Sequence, residues 1–399
     1  MRILMIAPEP FFEPRGTPFS EYHRIRALVE LGHRVDLVTY PFGRNVDLPG
    51  LRIIRCARPP FVRRVRIGPS AAKVPLDLAL AATALRCALR GRYDAVHSHE
   101  EGAVIGVLLA RLLRVPHVYD MHSSLPQQLA NFGYSRSRLL HALFEAIERL
   151  AVRRSGVVIA ICPELAARVR AIDSAVPCVV IENAPGAGDG AAPGAGAAVR
   201  AALGVADGVP LVLYAGTFEP YQGLELLLEA VPHVLAACPE ARFLLVGGGP
   251  QQAEAVRAAA RAAGVDSALT VIDQQPAETI PAYLDAADVL VSPRRTGTNT
   301  PLKIYQYLRS GRPIVATRLV THTQVLDDEM AVLTEPTGES FAAGIVRILR
   351  EPDRGRARAE RARRIAETRY SYEAYLARTR EAYRWVCEPA PVPAAGSLA

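Results

Sequence analysis

Basic side chains and a predicted helix start occur together in residues 288–317, a combination suited to binding a phosphorylated ligand. After a strand and a polar loop, a helix is predicted to begin with Thr300 as its cap and Pro301 as its first residue, and to end at Gly311. The unsatisfied amides at that helix start would attract an anion, and Lys303 lies within its first turn. Two further cations stand in the preceding loop, Arg294 and Arg295. Together these residues predict a diphosphate pocket.

Lys303 also stands out by composition. The chain has 47 Lys and Arg residues, and Lys73 and Lys303 are its only lysines. In a chain that otherwise uses arginine, a retained lysine indicates a site that needs a compact ammonium group.

Glycines in two other segments would let a ligand approach bare backbone. The first predicted strand leads into a loop with Arg15, Gly16 and Thr17 just before a helix, where an anion or a sugar could bind, although a plain connecting turn would look much the same. A later strand ends in Gly247, Gly248 and Gly249 before another helix. Neither a Gly-x-Gly-x-x-Gly sequence nor a Walker loop is present, which argues against a dinucleotide or ATP and favours another nucleotide.

Histidines at two predicted strand ends are candidates for the reacting centre. His99 follows the strand Ala95 to Ser98, and His122 follows the next one; either could instead be a strand-end histidine bonded to backbone. Glu100 is a neighbouring carboxylate, and no residue is marked as a covalent nucleophile. Because the sequence has no Asp-x-Asp and no cluster of metal-ligating residues, we expect neither a metal nor a bound cofactor.

Short β-branched runs alternate with helical patterns along the whole chain, which predicts parallel sheets covered by helices on both faces. A Gly, Ala and Pro segment at 184–200 predicts a linker between two doubly wound α/β domains, 1–183 and 201–368, and 369–399 forms a C-terminal helix and tail. Ligands of such sheets bind outside the carboxyl ends of the strands, so the site is expected in a cleft between the domains.

Four features together resemble the retaining glycosyltransferases of the GT-B group, family 4 type, which include bacterial mannosyl- and glucosyltransferases. They are the glycine loop leading into Glu21 to His33, the strand with His97 to Glu100, the turn Gly247 to Pro250, and the block Pro301 to Thr317. The resemblance covers nearly the whole chain. It implies a GT-B fold of two Rossmann-like domains, a second domain that binds a nucleotide-diphosphate sugar as co-substrate, and a first domain that binds the acceptor. The C-terminal helix would cross back to the first domain.

The resemblance also implies roles for individual residues. His99 and Lys303 would be catalytic. The donor side would comprise Gly16, Gly216, Thr217, Gln222, Gly247, Gly248, Gly249, Asp273, Arg294, Arg295, Thr298, Asn299, Thr300 and Gln306. The acceptor side would comprise Arg15, Thr17, Glu100 and His122.

Four positions depart from the family's pattern. Where the family has Glu-x7-Glu, this chain has Thr298 and Gln306, and where the family has an Arg and a Lys for the diphosphate it has Thr217 and Gln222. An amide at 306 can still bond ribose hydroxyls, and nearby cations could replace the missing ones. Three hypotheses stay open: a retaining metal-independent hexosyltransferase acting on a lipid-linked or polysaccharide acceptor of the envelope, a catalytically silent nucleotide-sugar-binding scaffold, and a sugar-nucleotide epimerase.

The net positive charge of the chain comes from its first half. Residues 1–183 contain 25 basic and 16 acidic residues, and the remainder contain 22 and 24. The segment 52–73 has seven basic residues and no acid, which indicates either a solvated loop or a contact with an anionic membrane or a phosphate-bearing acceptor. No nucleic-acid module accompanies the charge. With no membrane-spanning run and no secretory signal, we expect a cytoplasmic protein with free cysteines, in solution or peripheral at the inner face of the membrane.

Overall fold

The computed structural model describes residues 1–12, 16–63, 65, 70, 73–127, 137–182 and 190–387. Arg15, part of the 52–73 basic segment and residues 184–189 of the predicted linker lie outside the described residues. The chain divides into two compact units, Met1–Asn183 with Glu373–Ala399, and Ala184–Tyr372.

The first unit is built on a parallel sheet of seven strands in the order β3-β2-β1-β4-β5-β6-β7. Its apolar strands are buried on both faces, as expected for a parallel sheet covered by helices. The strands are β1 Arg2–Ala7, β2 Arg34–Thr39, β3 Leu51–Arg55, β4 Ala95–His99, β5 His117–Met121, β6 Val157–Ala160 and β7 Cys178–Val180.

Five helices connect these strands, and a sixth returns from the end of the chain. They are α1 Gly16–Glu30, α2 Lys73–Arg90, α3 Ala103–Leu113, α4 Arg138–Arg153, α5 Pro163–Ile172 and, after the second unit, α14 Tyr372–Cys387. From Glu373 onward, α14 belongs to the first unit. It contacts β4 directly, because the hydroxyl of Tyr383 lies 2.7 Å from Nδ1 of His97.

The second unit contains a parallel sheet of six strands in the order β10-β9-β8-β11-β12-β13. The strands are β8 Leu211–Ala215, β9 Arg242–Val246, β10 Leu269–Ile272, β11 Val289–Ser292, β12 Ile314–Thr317 and β13 Val332–Thr334. The helices are α6 Ala195–Ala202, α7 Leu224–Ala237, α8 Pro250–Ala262, α9 Ile280–Ala286, α10 Leu302–Ser310, α11 Val320–Thr323, α12 Gly338–Arg350 and α13 Pro352–Arg369.

The predicted fold class, two Rossmann-like doubly wound domains, is confirmed. Two local predictions differ from the structure. Helix α6 begins inside the predicted linker, because an alanine-rich run favours a helix and Gly196 packs closely on α9, where its amide donates to Asp285 Oδ2 at 3.1 Å. Helix α10 has Pro301 as its N-cap in extended conformation, so the predicted cap at Thr300 is wrong.

Within the described part of the chain, no helix combines the length and the apolar character needed to cross a bilayer.

Candidate active site

Lys303 lies where the carboxyl ends of two central strands of the second unit come together. Gly216 follows β8, and a side chain on it would begin 2.9 Å from the Lys303 ammonium. Gly247 follows β9 with φ of 139°, and a Cβ there would overlap the carbonyl oxygen of Gly216. Both positions therefore require glycine, and the two strand ends leave bare backbone beside the ammonium group.

The Lys303 ammonium is buried without an anionic partner among the described residues. The side chain is 7% exposed, and its Nζ has no hydrogen-bond partner. Its nearest aromatic contact is the ring of Tyr214, whose centroid lies 3.6 Å away, and this contact favours the cation. Burial, and secondarily the charge of Arg294, hold the pKa of Lys303 well below its usual value. An unpaired buried ammonium costs several kcal/mol, so this group is poised to accept an anion.

Arg294 supplies a second cation to the same pocket. It is 7% exposed, and one of its nitrogens donates to the carbonyl of Asn299 and to the hydroxyl of Thr321, both at 3.1 Å. Its guanidinium lies 5.4 Å from the ring centroid of Tyr221. The Nε atom has no partner among the described residues. These contacts fix the guanidinium and leave donor capacity for a ligand.

Most of the remaining donor-side predictions lie in the segments that follow β8, β9 and β11, or on α10. Gln222 and Thr217 bond to one another at 3.2 Å and lie in the segment that follows β8. Gln306 is half-buried on α10, one turn after Lys303. Thr298, Asn299 and Thr300 form the loop before α10, and Gly248 and Gly249 complete the turn after β9.

Two predicted donor-side residues are engaged elsewhere. The Arg295 guanidinium pairs with Glu229 of α7. Asp273, after β10, pairs with Arg257 of α8 at 3.0 Å. Arg295 and Asp273 are therefore paired with other side chains, whereas Arg294 lies close enough to Lys303 for its charge to lower the pKa of that lysine.

In the first unit, the ends of β4 and β5 carry a buried cluster around Asp120. The Arg24 guanidinium donates to Asp120 Oδ2 at 2.8 Å, and these side chains are 2% and 0% exposed. Three imidazoles surround the same carboxylate. The shortest distance from an imidazole nitrogen to a carboxylate oxygen of Asp120 is 3.5 Å for His97, 3.9 Å for His99 and 3.3 Å for His122.

The charges of this cluster are set by burial and by Arg24. Burial alone would raise the pKa of Asp120, but Arg24 and the imidazoles hold it well below the usual carboxyl value. Burial lowers the pKa of all three histidines, that of His99 most strongly, and the charge of Arg24 lowers them further. The imidazoles are therefore neutral near pH 7. His99 Nδ1 lies 3.1 Å from His122 Nε2, and its own Nε2 has no partner among the described residues.

This cluster is also where the described residues could hold a metal ion. Ligand atoms of His97, His99 and Asp120 all lie within 4.8 Å of one another. Arg24 already supplies positive charge at Asp120 Oδ2, which disfavours a second cation at that oxygen. The expectation that no metal takes part stays a prediction.

Of the predicted acceptor-side residues, Glu100 and His122 lie near one another and Arg15 is not described. Ser123, next to His122, donates to Glu100 at 2.8 Å. Burial raises the pKa of the Glu100 carboxyl well above its usual value. Gly16 and Thr17 form the first turn of α1.

Sequence reasoning missed Arg24 and Tyr214. Arg24 lies on the buried face of α1, where its carboxylate partner is 96 residues away. A charged residue at a core-facing helix position was the available signal. Tyr214 lies within β8 and looked like an ordinary aromatic strand residue.

Two family models match the chain. A "Glycosyl transferases group 1" model matches residues 209–351. A "Glycosyl transferase 4-like domain" model matches residues 22–184. Each matched region covers most of one sheet.

Individual relatives agree with these models. The chain is 32% identical over 290 residues to a 2-deoxystreptamine glucosyltransferase of Streptomyces kanamyceticus, covering 67% of this chain and 72% of the relative. It is 25% identical to a phosphatidyl-myo-inositol mannosyltransferase of Mycobacterium tuberculosis, covering 97% of each chain. Its fold is similar to that of Anabaena HepE solved with UDP and glucose, with a TM-score of 0.73, 19% identity, and coverage of 96% of this chain and 98% of the other.

Proposed function

Because the chain belongs to the group 1 glycosyltransferases and its first unit matches the glycosyltransferase 4-like domain, we propose that it is a retaining hexosyltransferase that uses a nucleotide-diphosphate sugar. The observation that carries the donor proposal is the buried Lys303 ammonium, which lies beside bare backbone and has no anionic partner in the part of the chain that the structure describes. A diphosphate would supply the missing negative charge. The UDP bound by Anabaena HepE supports a nucleotide of this class.

Lys303 and Arg294 would stabilise the departing diphosphate. As the C–O bond of the donor sugar breaks, negative charge grows on the phosphate oxygen, and fixed cations in a dry pocket stabilise this charge by several kcal/mol. The acceptor hydroxyl would attack from the same face, and its proton would pass to the departing phosphate oxygen. No metal is required by this scheme.

Gln306 would take the place of the family's ribose-binding carboxylate. Its amide can donate to one ribose hydroxyl and accept from another, so nucleotide binding is retained with weaker, uncharged hydrogen bonds. His99 would serve as a neutral hydrogen-bonding group for the donor sugar. Its lowered pKa supports this role, as does its Nε2 atom, which no described residue contacts by a hydrogen bond.

We further propose an acceptor of the envelope, either lipid-linked or a polysaccharide, and a cytoplasmic enzyme with peripheral contact to an anionic membrane. The support is the excess of basic residues in the first half of the chain and the lipid named as the substrate of the mannosyltransferase relative.

The test is release of nucleoside diphosphate from a panel of UDP- and GDP-sugars with lipid-linked acceptors. Lys303→Ala is expected to lower donor affinity and turnover at least tenfold, because one charge-assisted contact contributes about 1.5 to 3 kcal/mol. Lys73→Ala is the matched control, since Lys73 pairs with Glu101 in the first unit. A chelator should leave turnover unchanged.

The same assay separates the alternatives. Equal activity of the two lysine variants would contradict the diphosphate pocket. Binding of nucleotide sugars without any turnover would identify a silent binding protein, and interconversion of the donor without acceptor would identify an epimerase.

A further inference from the structure

Helix α2 exposes an apolar stripe along its whole length. Val74, Leu78, Leu85 and Leu89 are 61%, 68%, 41% and 70% exposed. These residues are separated by four, seven and four positions, which places them on one side of the helix. The opposite side, which includes Leu80, is buried against the sheet. The helix is therefore apolar on the face that turns away from the core as well as on the face that packs against it.

The neighbouring helices continue this apolar surface. On α3, Leu108 and Leu112 are 64% and 53% exposed. On α4, Leu139, Leu143 and Leu150 are 82%, 53% and 45% exposed, again with helical spacing.

The three helices form one layer on the same face of the first sheet. They connect β3 to β4, β4 to β5 and β5 to β6, which advance in one direction across the sheet. Right-handed crossovers in a constant direction place their helices on one side. Direct packing of α2 on α3, and of α3 on α4, agrees with this placement. We call this surface, formed by the exposed residues of α2, α3 and α4, the leucine face.

Exposed arginines accompany the leucine face. Within the three helices, the exposed charged residues are Arg86, Arg90, Arg111, Arg138, Arg149 and Arg153 against a single acid, Glu145. Arg149 lies 3.6 Å from Glu145 and Arg153 lies 4.0 Å from Asp173, and the other four arginines have no ion pair with a described residue. Leucines interspersed with arginines are the composition of helices that lie at the surface of an anionic membrane.

We propose that the leucine face docks this chain on an anionic lipid bilayer. The leucines would enter the boundary between headgroups and acyl chains, and the arginines would contact lipid phosphates. A second copy of the chain is a poorer occupant, because a two-fold symmetric contact would bring like-charged arginines of both copies together. This inference deepens the membrane contact proposed above, and it assigns that contact to α2, α3 and α4 rather than to the 52–73 segment.

The experiment is flotation of the full chain with vesicles of phosphatidylcholine alone or mixed with phosphatidylglycerol. We expect binding only to the phosphatidylglycerol vesicles, weakened by salt. The double variant Leu78→Ser/Leu85→Ser should lower the apparent partition coefficient at least tenfold. The control is Val320→Ser, which removes an exposed apolar side chain of the second unit that is 42% exposed. Arg86→Glu/Arg90→Glu should also abolish binding, with the exposed pair Arg356→Glu/Arg364→Glu of α13 as its control.

Calorimetry with UDP and GDP distinguishes this inference from the proposed function. The leucine variants should bind nucleotide as the unmodified chain does, and Lys303→Ala should float normally. If the unmodified chain does not float with phosphatidylglycerol vesicles, or if Leu78→Ser/Leu85→Ser floats equally well, the docking proposal is overturned. It is also overturned if sedimentation equilibrium shows a dimer that the leucine variant dissociates.

Discussion

Arg24 and Asp120 form an ion pair inside the first unit, and replacing Arg24 with methionine would leave the carboxylate buried beside three imidazoles. The two side chains are 2% and 0% exposed and lie 2.8 Å apart. The guanidinium also donates to Thr379 of α14 at 3.0 Å and lies 4.8 Å from the ring centroid of Tyr375. Removing one partner of a buried pair costs about 3–5 kcal/mol. Arg24→Met should therefore lower the free energy of unfolding of the first unit by about this amount near pH 8.

The loss should shrink on acidification. Burial is the main cause of the lowered pKa of His97, His99 and His122, and the charge of Arg24 lowers it further, so removing Arg24 raises the pKa of these imidazoles part of the way back toward the usual histidine value. A histidine whose pKa is lowered in the folded state destabilises that state as the pH falls through its unfolded pKa, and a smaller lowering makes this loss smaller. Acidification from pH 8 to pH 6 therefore costs the variant less stability than it costs the unmodified chain, and the difference between the two becomes smaller.

The assay is urea unfolding followed by the fluorescence of Trp385, the only tryptophan of the chain, which lies on α14 in the first unit. Arg149→Met is the control, because its ion pair with Glu145 lies on the surface of the same unit and such pairs contribute about 1 kcal/mol or less. A loss for Arg24→Met no larger than that of the control, or a loss that grows from pH 8 to pH 6, would refute the reasoning.

Three further predictions concern the second unit. Donor affinity, measured by calorimetry, should weaken as the pH rises through the lowered pKa of Lys303, because only the ammonium form binds the diphosphate; Lys303→Arg should flatten this profile. Gly247→Ala should abolish nucleotide binding and lower the melting temperature, because the new Cβ would overlap the carbonyl oxygen of Gly216; unchanged binding would contradict the close approach of β8 and β9. Gln306→Glu should raise affinity for the nucleotide about fivefold, since a charged acceptor strengthens a hydrogen bond by about 1 kcal/mol; unchanged or weaker binding would argue against ribose contact at this position.

Strand positions were predictable from the sequence because each strand of a parallel sheet is a short β-branched run. The predicted strand Ala95 to Ser98, for example, differs from β4, Ala95–His99, by one residue at its end. The composition of residues 184–200, rich in glycine and alanine, predicts a linker, but the structure has helix α6 from Ala195 onward. There the helix propensity of alanine and the packing of Gly196 on Asp285 favour a helix.

Side-chain partners across the fold were not predictable from local pattern. The sequence predicts both Arg294 and Arg295 in the diphosphate pocket. In the structure, the Arg294 side chain contacts Thr321, whereas the side chain of the adjacent Arg295 pairs with Glu229. The pairing of Arg24 with Asp120 depends on the order of α1, β4 and β5 around the sheet, which no single segment encodes.

The most direct test of the donor proposal is the NMR signal of lysine. With lysine labelled by ¹³C at Cε, the two lysines of this chain give two side-chain resonances, which Lys303→Arg assigns. Saturating UDP or GDP should shift the Lys303 resonance and raise its titration midpoint from its lowered value, while the Lys73 resonance stays unchanged. A Lys303 resonance that neither shifts nor changes its midpoint with a nucleotide proven to bind would contradict the proposed diphosphate pocket.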